Sequence, residues 1–358
     1  MLAGSYNIPP TASMQGRQYE VQLQLMRAVV GHQFGGIECL RLEEAPSPVL
    51  SAGMVRIAVR AAGVSFANLL FIAGKHQNRP DLPFIPGTEI AGVVSEIAPD
   101  VRNGLRIGDR ICASLPSGGF AEEAVVDADN VFAIPDTLDF AAATLFTTIY
   151  ATAYAGLVWR AALLRDEVLL VHGAAGASGL AAVEIGRAIG ARVIATAGGA
   201  RKVETAKRHG ADHAIDYRAE DFRAAVLDMT GGRGADVVFD PVGGDVFDQS
   251  LRCVAPLARL LPIGFASGRI PEIPANLVLV KNLTVIGLYW GFYMAWGKTK
   301  ADAAMRARVR GLYGELFALF EAGKLHPLVD ARLPLAEFAG ALARVQARDV
   351  IGKIVLEP

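Results

Sequence analysis

The chain contains little cysteine. Cys39, Cys112 and Cys253 are the only three cysteines among 358 residues, and no two of them form a C-x-x-C pair. Structural zinc lobes and disulfide frameworks both need cysteines at short, repeated spacings, so the sequence predicts neither. A cysteine content this low favours a reducing compartment, and we expect the protein in the cytoplasm.

An excess of charge of one sign is also absent. The chain has 35 Lys and Arg against 36 Asp and Glu, a formal net charge of -1. Nucleic-acid binding relies on a basic patch or stripe, so we expect no nucleic-acid partner. Residues 140–159 carry no charge and are long enough to span a bilayer. They are rich in alanine and include four threonines, so we interpret them as a buried helix between two domains and expect no membrane span.

A chain of this length suits two domains. Residues 1–25 lack the basic and apolar segments of a signal peptide, and we expect a disordered extension there. Short apolar runs broken by Gly and Pro, at 55–61, 90–97, 110–113 and 120–126, predict a β-rich domain over residues 26–150. Strand and helix patterns alternate over 151–288. Residues 289–358 carry helical patterns at 300–322 and 335–346 and a closing strand at 353–356, which we expect to complete the first domain.

The most informative segment runs from residue 167 to residue 240. A short apolar run at 168–171 is followed by the turn GAAGASG, from Gly173 to Gly179, and then by small and apolar residues up to 189. Further strand patterns follow at 191–196, 214–216 and 236–239. This is the order of a dinucleotide-binding βαβ unit, in which helix N–H groups face a pyrophosphate. A flavodoxin-like or other doubly wound domain is the alternative.

The segment after the second strand indicates which dinucleotide is bound. An NAD site usually places Asp or Glu about 20 residues beyond the glycine turn, where it holds the ribose 2′-hydroxyl. Residues 196–202 contain no carboxylate, whereas Arg201, Lys202 and the later Tyr217 could contact a 2′-phosphate. The sequence therefore favours NADPH. The alternative is that Arg201 and Lys202 only solvate the start of a surface helix.

Further motifs are spread over residues 26–358. They are AAGVSFAN at 61–68, LPFIPGTE at 82–89 with AGVV at 91–94, GDR at 108–110, HGAAGASG at 172–179 and DPVGG at 240–244. Together they resemble the zinc-independent quinone oxidoreductase branch of the medium-chain dehydrogenase/reductase superfamily. The resemblance implies the α/β class: a GroES-like β-rich catalytic domain (26–150, completed by 289–358) and a doubly wound Rossmann domain (151–288) that binds NADPH. It also implies a cleft between them and, commonly, a homodimer.

The resemblance also bears on the chemistry. The zinc-dependent alcohol dehydrogenases have Cys where this chain has Ser65 and His where it has Thr88. Zinc needs three protein ligands for catalysis, so we expect no metal and a hydride transfer to a quinone or an α,β-unsaturated carbonyl compound. The candidate catalytic residues are Ser65, Asn68 and His76. The alternatives are that Ser65 and Asn68 only hydrogen-bond their own loop and that His76 is a surface histidine.

The resemblance carries over a larger set of cofactor contacts. Thr152 corresponds to the threonine near the nicotinamide, and Arg348 to an arginine that can reach the 2′-phosphate; helix packing and a solvated helix end are their alternatives. The remaining candidates are the pyrophosphate turn (Ala175, Gly176, Ala177, Ser178 and Gly179), the 2′-phosphate group (Gly198, Arg201, Lys202 and Tyr217) and the strand ends beside the nicotinamide (Val242, Gly264 and Phe265).

Three functions are compatible with these residues. The leading one is an NADPH-dependent quinone or enone reductase. An enoyl-thioester (enoyl-CoA) reductase of the same superfamily would move the same hydride to the β-carbon of an acyl-CoA. A non-catalytic NADPH-binding sensor or structural protein would bind NADPH and turn over no acceptor.

Overall fold

The first part of the chain forms antiparallel sheets. A computed structural model describes residues 24–296 and 301–358. Strand β1 (Leu25–Gly31) pairs with β2 (Leu40–Pro46). A larger sheet is built from the strands that follow: β3 (Met54–Val64), β4 (Glu89–Ile97), β5 (Arg110–Ser114), β6 (Glu123–Asp127) and β7 (Val131–Ala133). Helix α1 (Phe66–Ile72) follows β3 directly, which places its N-terminus at the end of a buried strand.

A helical segment of residues 140–160 leads from the first domain to the second. It consists of α2 (Phe140–Leu145), α3 (Ala151–Tyr154) and two wide π-helical turns, Phe146–Tyr150 and Ala155–Arg160. The segment is long and apolar enough to cross a membrane, and 83% of its most apolar window is buried inside the protein. It packs between the sheets, which agrees with its interpretation as a buried interdomain helix.

The second part of the chain is doubly wound. Its strands are β8 (Val168–Val171), β9 (Arg192–Ala197), β10 (His213–Asp216), β11 (Ala235–Asp240), β12 (Val254–Pro262) and β13 (Thr284–Val285). They form one parallel sheet in the order β10-β9-β8-β11-β12-β13. The helices of this region are α4 (Ala177–Ile189), α5 (Ala200–Arg208), α6 (Phe222–Met229), α7 (Asp245–Ser250) and α8 (Ala275–Lys281). This strand order is that of the dinucleotide-binding Rossmann fold, so the predicted fold class is confirmed.

The last part of the chain returns to the first sheet. After α9 (Trp290–Tyr293) and α10 (Ala303–Glu321), strand β14 (Val329–Pro334) runs parallel to β15 (Lys353–Glu357), with α11 (Phe338–Gln346) between them. Strand β15 lies between β14 and β3 and pairs antiparallel with β3, and four of its five residues are buried. The exact domain boundaries stay a prediction.

Several predicted boundaries were wrong for identifiable reasons. The strand expected at 120–126 begins only at Glu123, because Phe120 and Ala121 instead bond to strand β1. The helix expected from residue 300 begins at Ala303, since the Asp302 side chain caps it by accepting the Met305 N–H at 2.8 Å. Lys300 and most of the predicted extension 1–25 lie outside the described residues, although Leu25 already belongs to β1.

Candidate active site

The glycine turn lies between β8 and α4, at the carboxyl edge of the parallel sheet. Gly173 has a φ of +57°, and a Cβ on Gly179 would lie 2.4 Å from the Gly173 carbonyl oxygen. Only glycine fits at position 179, and the helix therefore approaches the strand closely. The Ala174 N–H is bonded to the Thr196 carbonyl at 3.0 Å, which anchors the turn to β9. The predicted pyrophosphate residues thus comprise Ala175, the N-cap Gly176 and the first three residues of α4, whose N–H groups have no partner within the helix.

The C-terminal part of the chain closes over this turn. The Gly352 N–H donates to the Ala175 carbonyl at 2.9 Å, and Gly352 also forms a bridge with Gly176. Lys353, the next residue, makes a buried ion pair with Glu89 of β4. The first domain's sheet is therefore connected directly to the phosphate turn.

The predicted 2′-phosphate residues lie around one cavity of about 280 Å³. Gly198, Arg201 and Lys202 line it. Tyr217 lies directly against Gly198, since a Cβ on that glycine would be 2.6 Å from the phenol oxygen. The structure therefore brings these four predicted residues together. Arg344 also lines the cavity and was missed by sequence reasoning, because it belongs to α11, far away in the chain.

The position of Arg348 differs from the expectation in one respect. Its carbonyl oxygen, not its guanidinium, contacts Lys202, accepting from the Nζ atom at 2.9 Å. The guanidinium donates to the Ala266 carbonyl at 2.6 Å, beside the predicted nicotinamide residues. Its backbone adopts a left-handed φ of +58°, two residues after the end of α11. Contact of this side chain with a 2′-phosphate stays a prediction.

The predicted nicotinamide residues follow β11 and β12 at the same sheet edge. The Asp240 carboxylate accepts the N–H groups of Val242 and Gly243 at 2.7 and 3.0 Å, which fixes the loop. Burial raises the pKa of Asp240. Gly264 packs against this loop, and the ring of Phe265 lies over Gly243. Thr152 lies on α3, between the two π-helical turns, a kind of irregularity that recurs at functional sites.

Ser65 and Asn68 interact at the N-terminus of α1. The Asn68 amide oxygen accepts the Ser65 N–H at 2.7 Å and the Ser65 hydroxyl at 3.0 Å. Because a backbone N–H can only donate, the oxygen of the amide must face Ser65. The Asn68 Nδ2 group is then left buried without a hydrogen-bond acceptor among the described residues. Asn68 itself is 0% exposed, so this unpaired donor lies beneath the protein surface.

His76 lies apart from that pair, in the loop after α1. Its Nδ1 atom accepts the Asn78 N–H at 3.1 Å, and its ring packs against Phe71. Partial burial lowers the pKa of His76. The Asn78 amide donates to the Tyr289 hydroxyl at 2.9 Å, so this loop is joined to the segment that follows the last Rossmann strand. His76 is half-buried in this contact, in contrast to the surface alternative.

No group of three metal-ligating side chains occurs within residues 24–296 and 301–358. Glu89, the one acidic residue shared with the zinc enzymes in this region, is paired with Lys353. The residues at the site supply hydrogen-bond donors and N–H groups, and the cavity is lined by the cations Arg201, Lys202 and Arg344 together with the carboxylates of Asp330 and Asp349.

Comparisons with known proteins agree with this geometry. A family model described as alcohol dehydrogenase GroES-like domain matches residues 51–136, and one described as zinc-binding dehydrogenase matches residues 177–305. The quinone oxidoreductase-like protein 2 homolog of Nematostella vectensis is 39% identical over 310 residues, covering 86% of this chain and 82% of the relative. The chain belongs to the zinc-independent quinone oxidoreductase branch of the medium-chain dehydrogenase/reductase superfamily.

Two other members of this superfamily are similar over nearly the whole chain. A 2-haloacrylate reductase of Burkholderia sp is 32% identical over 346 residues, covering 93% of this chain and 99% of the relative. The solved structure of Escherichia coli quinone oxidoreductase complexed with NADPH has a TM-score of 0.84 and 28% identity, covering 93% of this chain and 100% of that one. The protein is thus an oxidoreductase with a GroES-like domain and a Rossmann domain, and its substrate is a small molecule.

A buried polar network beneath the phosphate turn was not predicted from the sequence. Ser250 donates to the Val246 carbonyl at 2.7 Å, so the His172 Nε2–H must donate to the Ser250 hydroxyl at 2.8 Å. The His172 Nδ1 atom then accepts from Thr196 at 2.8 Å. Burial lowers the pKa of His172 to about 3, which keeps the ring neutral. The sign of this network in the sequence is an isolated histidine, His172, directly after an apolar strand.

Thr148 and Asn78 were also missed, whereas Tyr289 was predicted only as a member of an aromatic group, with Trp290, Phe292 and Tyr293, that could wall an acceptor site or a dimer interface. The Thr148 hydroxyl is buried without a partner in the part of the chain that the structure describes, one helical turn before Thr152. Asn78 carries no motif, and Tyr289 could be noticed only as one of several aromatic residues after the last Rossmann strand. Nothing in the local sequence shows that their side chains meet.

Proposed function

We propose that the protein transfers a hydride from NADPH to a quinone or an α,β-unsaturated carbonyl compound without using zinc. The observation that carries the proposal is the buried Asn68 amide. Its oxygen is held by Ser65, and its Nδ2 donor has no acceptor among the described residues. Ser65 occupies a position where the zinc enzymes have a cysteine ligand. A hydrogen-bond donor thus takes the place of a metal beside the acceptor.

The choice of acceptor follows from what a hydrogen-bond donor can do. A zinc ion polarises an alcohol or stabilises an alkoxide, and an amide cannot replace it in that role. An amide can stabilise the partial negative charge that develops on the oxygen of an already electrophilic acceptor. The name of the 2-haloacrylate reductase relative, which refers to an activated carbon–carbon double bond, supports this acceptor class.

The residues on the cofactor side fit NADPH. Gly179 leaves no room for a Cβ, so the main chain of the turn is open to a pyrophosphate. Arg201 and Lys202 line the cavity in which a 2′-phosphate would lie, and Tyr217 lies against Gly198 of its lining. Asp330 and Asp349 also line it, with Asp330 paired to Arg344, while residues 196–202 include no carboxylate. Bound NADPH would supply the hydride. Thr152, Val242, Gly264 and Phe265 would orient its nicotinamide towards Asn68 and His76.

We further propose a homodimer in the cytoplasm. Helix α8 has no buried residue, and its Leu279 and Val280 are 76% and 72% exposed. It lies beside β13, a strand of two residues at the edge of the parallel sheet. An exposed apolar helix beside an open sheet edge is a surface that a second copy could cover. All three cysteines are free, as expected in a reducing compartment.

The test is NADPH consumption by the metal-stripped protein against quinones, enones and enoyl-CoAs, with NADH in parallel. We expect turnover without metal, with quinones or enones as the fastest acceptors and NADPH preferred over NADH. Fastest turnover of enoyl-CoAs would support the enoyl-thioester reductase instead. Tight NADPH binding without turnover of any acceptor would contradict an enzymatic function and favour a sensor or structural role.

A further inference from the structure

Tyr289 lies at the edge of the sheet where the nicotinamide is expected. Strands β12 and β13 run parallel, with Leu260 beside Val285, and the Ile286 N–H donates to the Leu260 carbonyl at 2.8 Å. Gly264 is four residues beyond Leu260, and Tyr289 is four residues beyond Val285. Both segments therefore leave the sheet at its carboxyl edge, where ligands bind in doubly wound folds.

The first domain reaches Tyr289 from the other side of the cleft. The Asn78 amide donates to the Tyr289 hydroxyl at 2.9 Å, across 211 residues of sequence, and the same residue bonds His76 through its backbone. The hydroxyl end of the ring lies against Gly291, where a Cβ would be 2.5 Å from the phenol oxygen. The hydroxyl is therefore held in one place by contacts from two segments.

The hydrogen bonding of this phenol leaves its proton free. The oxygen accepts from Asn78, and no acceptor for the phenol proton lies within hydrogen-bond reach among residues 24–296 and 301–358. Partial burial raises the pKa of Tyr289, so the group remains protonated near neutral pH. It is a neutral donor at the boundary between the nicotinamide edge and the loop of His76.

We infer that Tyr289 is a catalytic residue that donates a hydrogen bond to the acceptor's carbonyl oxygen while the hydride is transferred to the conjugated double bond of the acceptor. This inference rests on the proposed function. As the acceptor is reduced, the electron pair of its double bond moves onto that oxygen, where the phenol stabilises the charge. NADPH supplies both electrons, NADP⁺ is released, and one proton from water completes the product, so Tyr289 is unchanged overall. Asn78 is a positioning residue that holds the phenol.

The test compares Tyr289→Phe with Asn78→Ala, and uses Tyr293→Phe as the matched control. Tyr293 packs against Trp159 and Trp290. It belongs to α9, the short helix that begins directly after Tyr289. For Tyr289→Phe we expect kcat with an enone to fall about 100-fold, as when one oxyanion donor is removed, with an unchanged Kd for NADPH. Asn78→Ala keeps the donor and should lose only about tenfold. Tyr293→Phe should match the wild type.

A series of quinones of increasing product basicity separates catalysis from structure. If Tyr289 stabilises the developing oxyanion, the loss in Tyr289→Phe should grow as the product oxygen becomes more basic. Equal losses in Tyr289→Phe and Asn78→Ala would assign the effect to the interdomain hydrogen bond and overturn the inference. Full activity of Tyr289→Phe would also overturn it. Failure of the proposed function is distinguishable, because the wild-type protein itself would then reduce no quinone or enone efficiently.

Discussion

The proposed cofactor half and the proposed acceptor half of the site are built in different ways. The cofactor half consists largely of main-chain atoms from a continuous turn, Gly173 to Gly179, and from loops at the same sheet edge. The acceptor half consists of side chains such as Asn78 and Tyr289, which meet across 211 residues of sequence. A backbone site is determined by local geometry, whereas a side-chain site depends on how the two domains are placed. The cofactor half can therefore stay the same while substitutions in the acceptor half change which substrate is bound.

The largest expected effect concerns the point where the two halves are joined. Lys353 and Glu89 form an ion pair whose side chains are 3% and 1% exposed, next to the Gly352 contact with the phosphate turn. Lys353→Met leaves a buried carboxylate without its counter-charge. We expect the free energy of unfolding, measured in urea, to fall by about 3–5 kcal/mol.

Two further variants test this explanation. Adding Glu89→Gln to Lys353→Met removes the unpaired charge and should recover much of the loss. Arg27→Met breaks an exposed pair with Glu122 and should cost at most about 1 kcal/mol. A Lys353→Met protein as stable as Arg27→Met would show that the buried pair does not hold the halves together.

A smaller effect is expected within the cofactor half alone. A Cβ at position 179 would lie 2.4 Å from the Gly173 carbonyl oxygen, and neither backbone segment can move freely. Gly179→Ala should cost about 1–3 kcal/mol through overpacking and should weaken NADPH binding by about tenfold or more. Gly311→Ala is the control, because nothing lies within 4 Å of its Cβ position. It should raise the free energy of unfolding by about 0.5–1 kcal/mol. Equal effects would mean that the turn tolerates a side chain.

These differences explain how far the sequence was informative. The Rossmann sheet, its glycine turn and the basic group of Lys202 were predictable, because the βαβ pattern and the motif lie within one short segment. The pairing of β15 with β3 brings Lys353 to Glu89, and no local pattern encodes that contact. The position of the Arg348 guanidinium depended on a left-handed backbone that its sequence does not reveal. Tyr289 could be recognised only after both domains were in place.

The buried network under the cofactor half should make stability depend on pH. His172 has a pKa of about 3 in the folded protein, below the ordinary histidine value of 6.5, because burial disfavours its charged form. Between these pH values the unfolded chain therefore binds more protons than the folded protein. The contribution of the neutral His172 to the free energy of unfolding is complete above pH 6.5 and is lost as the pH falls towards 3. We expect a loss of about 2 kcal/mol between pH 6.5 and 5 from this residue.

The measurement is urea unfolding of His172→Gln and of His32→Gln over this pH range. His172→Gln should be less stable at pH 7, because Thr196 and Ser250 lose their imidazole partner, but its stability should fall less steeply on acidification. His32 is 58% exposed beside Glu43, so its replacement should leave the slope nearly unchanged. A His172→Gln protein with the wild-type slope would assign the acid sensitivity to other groups.

The smallest expected effect tests how the cofactor half distinguishes two dinucleotides. Lys202 lines the cavity near Tyr217 and is held by the Arg348 carbonyl at 2.9 Å, so its ammonium is positioned without being neutralised. Lys202→Ala should weaken NADPH binding by about tenfold, the loss expected for one charge-assisted hydrogen bond, and should leave NADH binding almost unchanged. Lys207→Ala, on the same helix but outside the cavity, is the control. Equal losses for the two dinucleotides, measured by fluorescence titration, would remove Lys202 from the 2′-phosphate site and leave Arg201 and Arg344 as the cations near it.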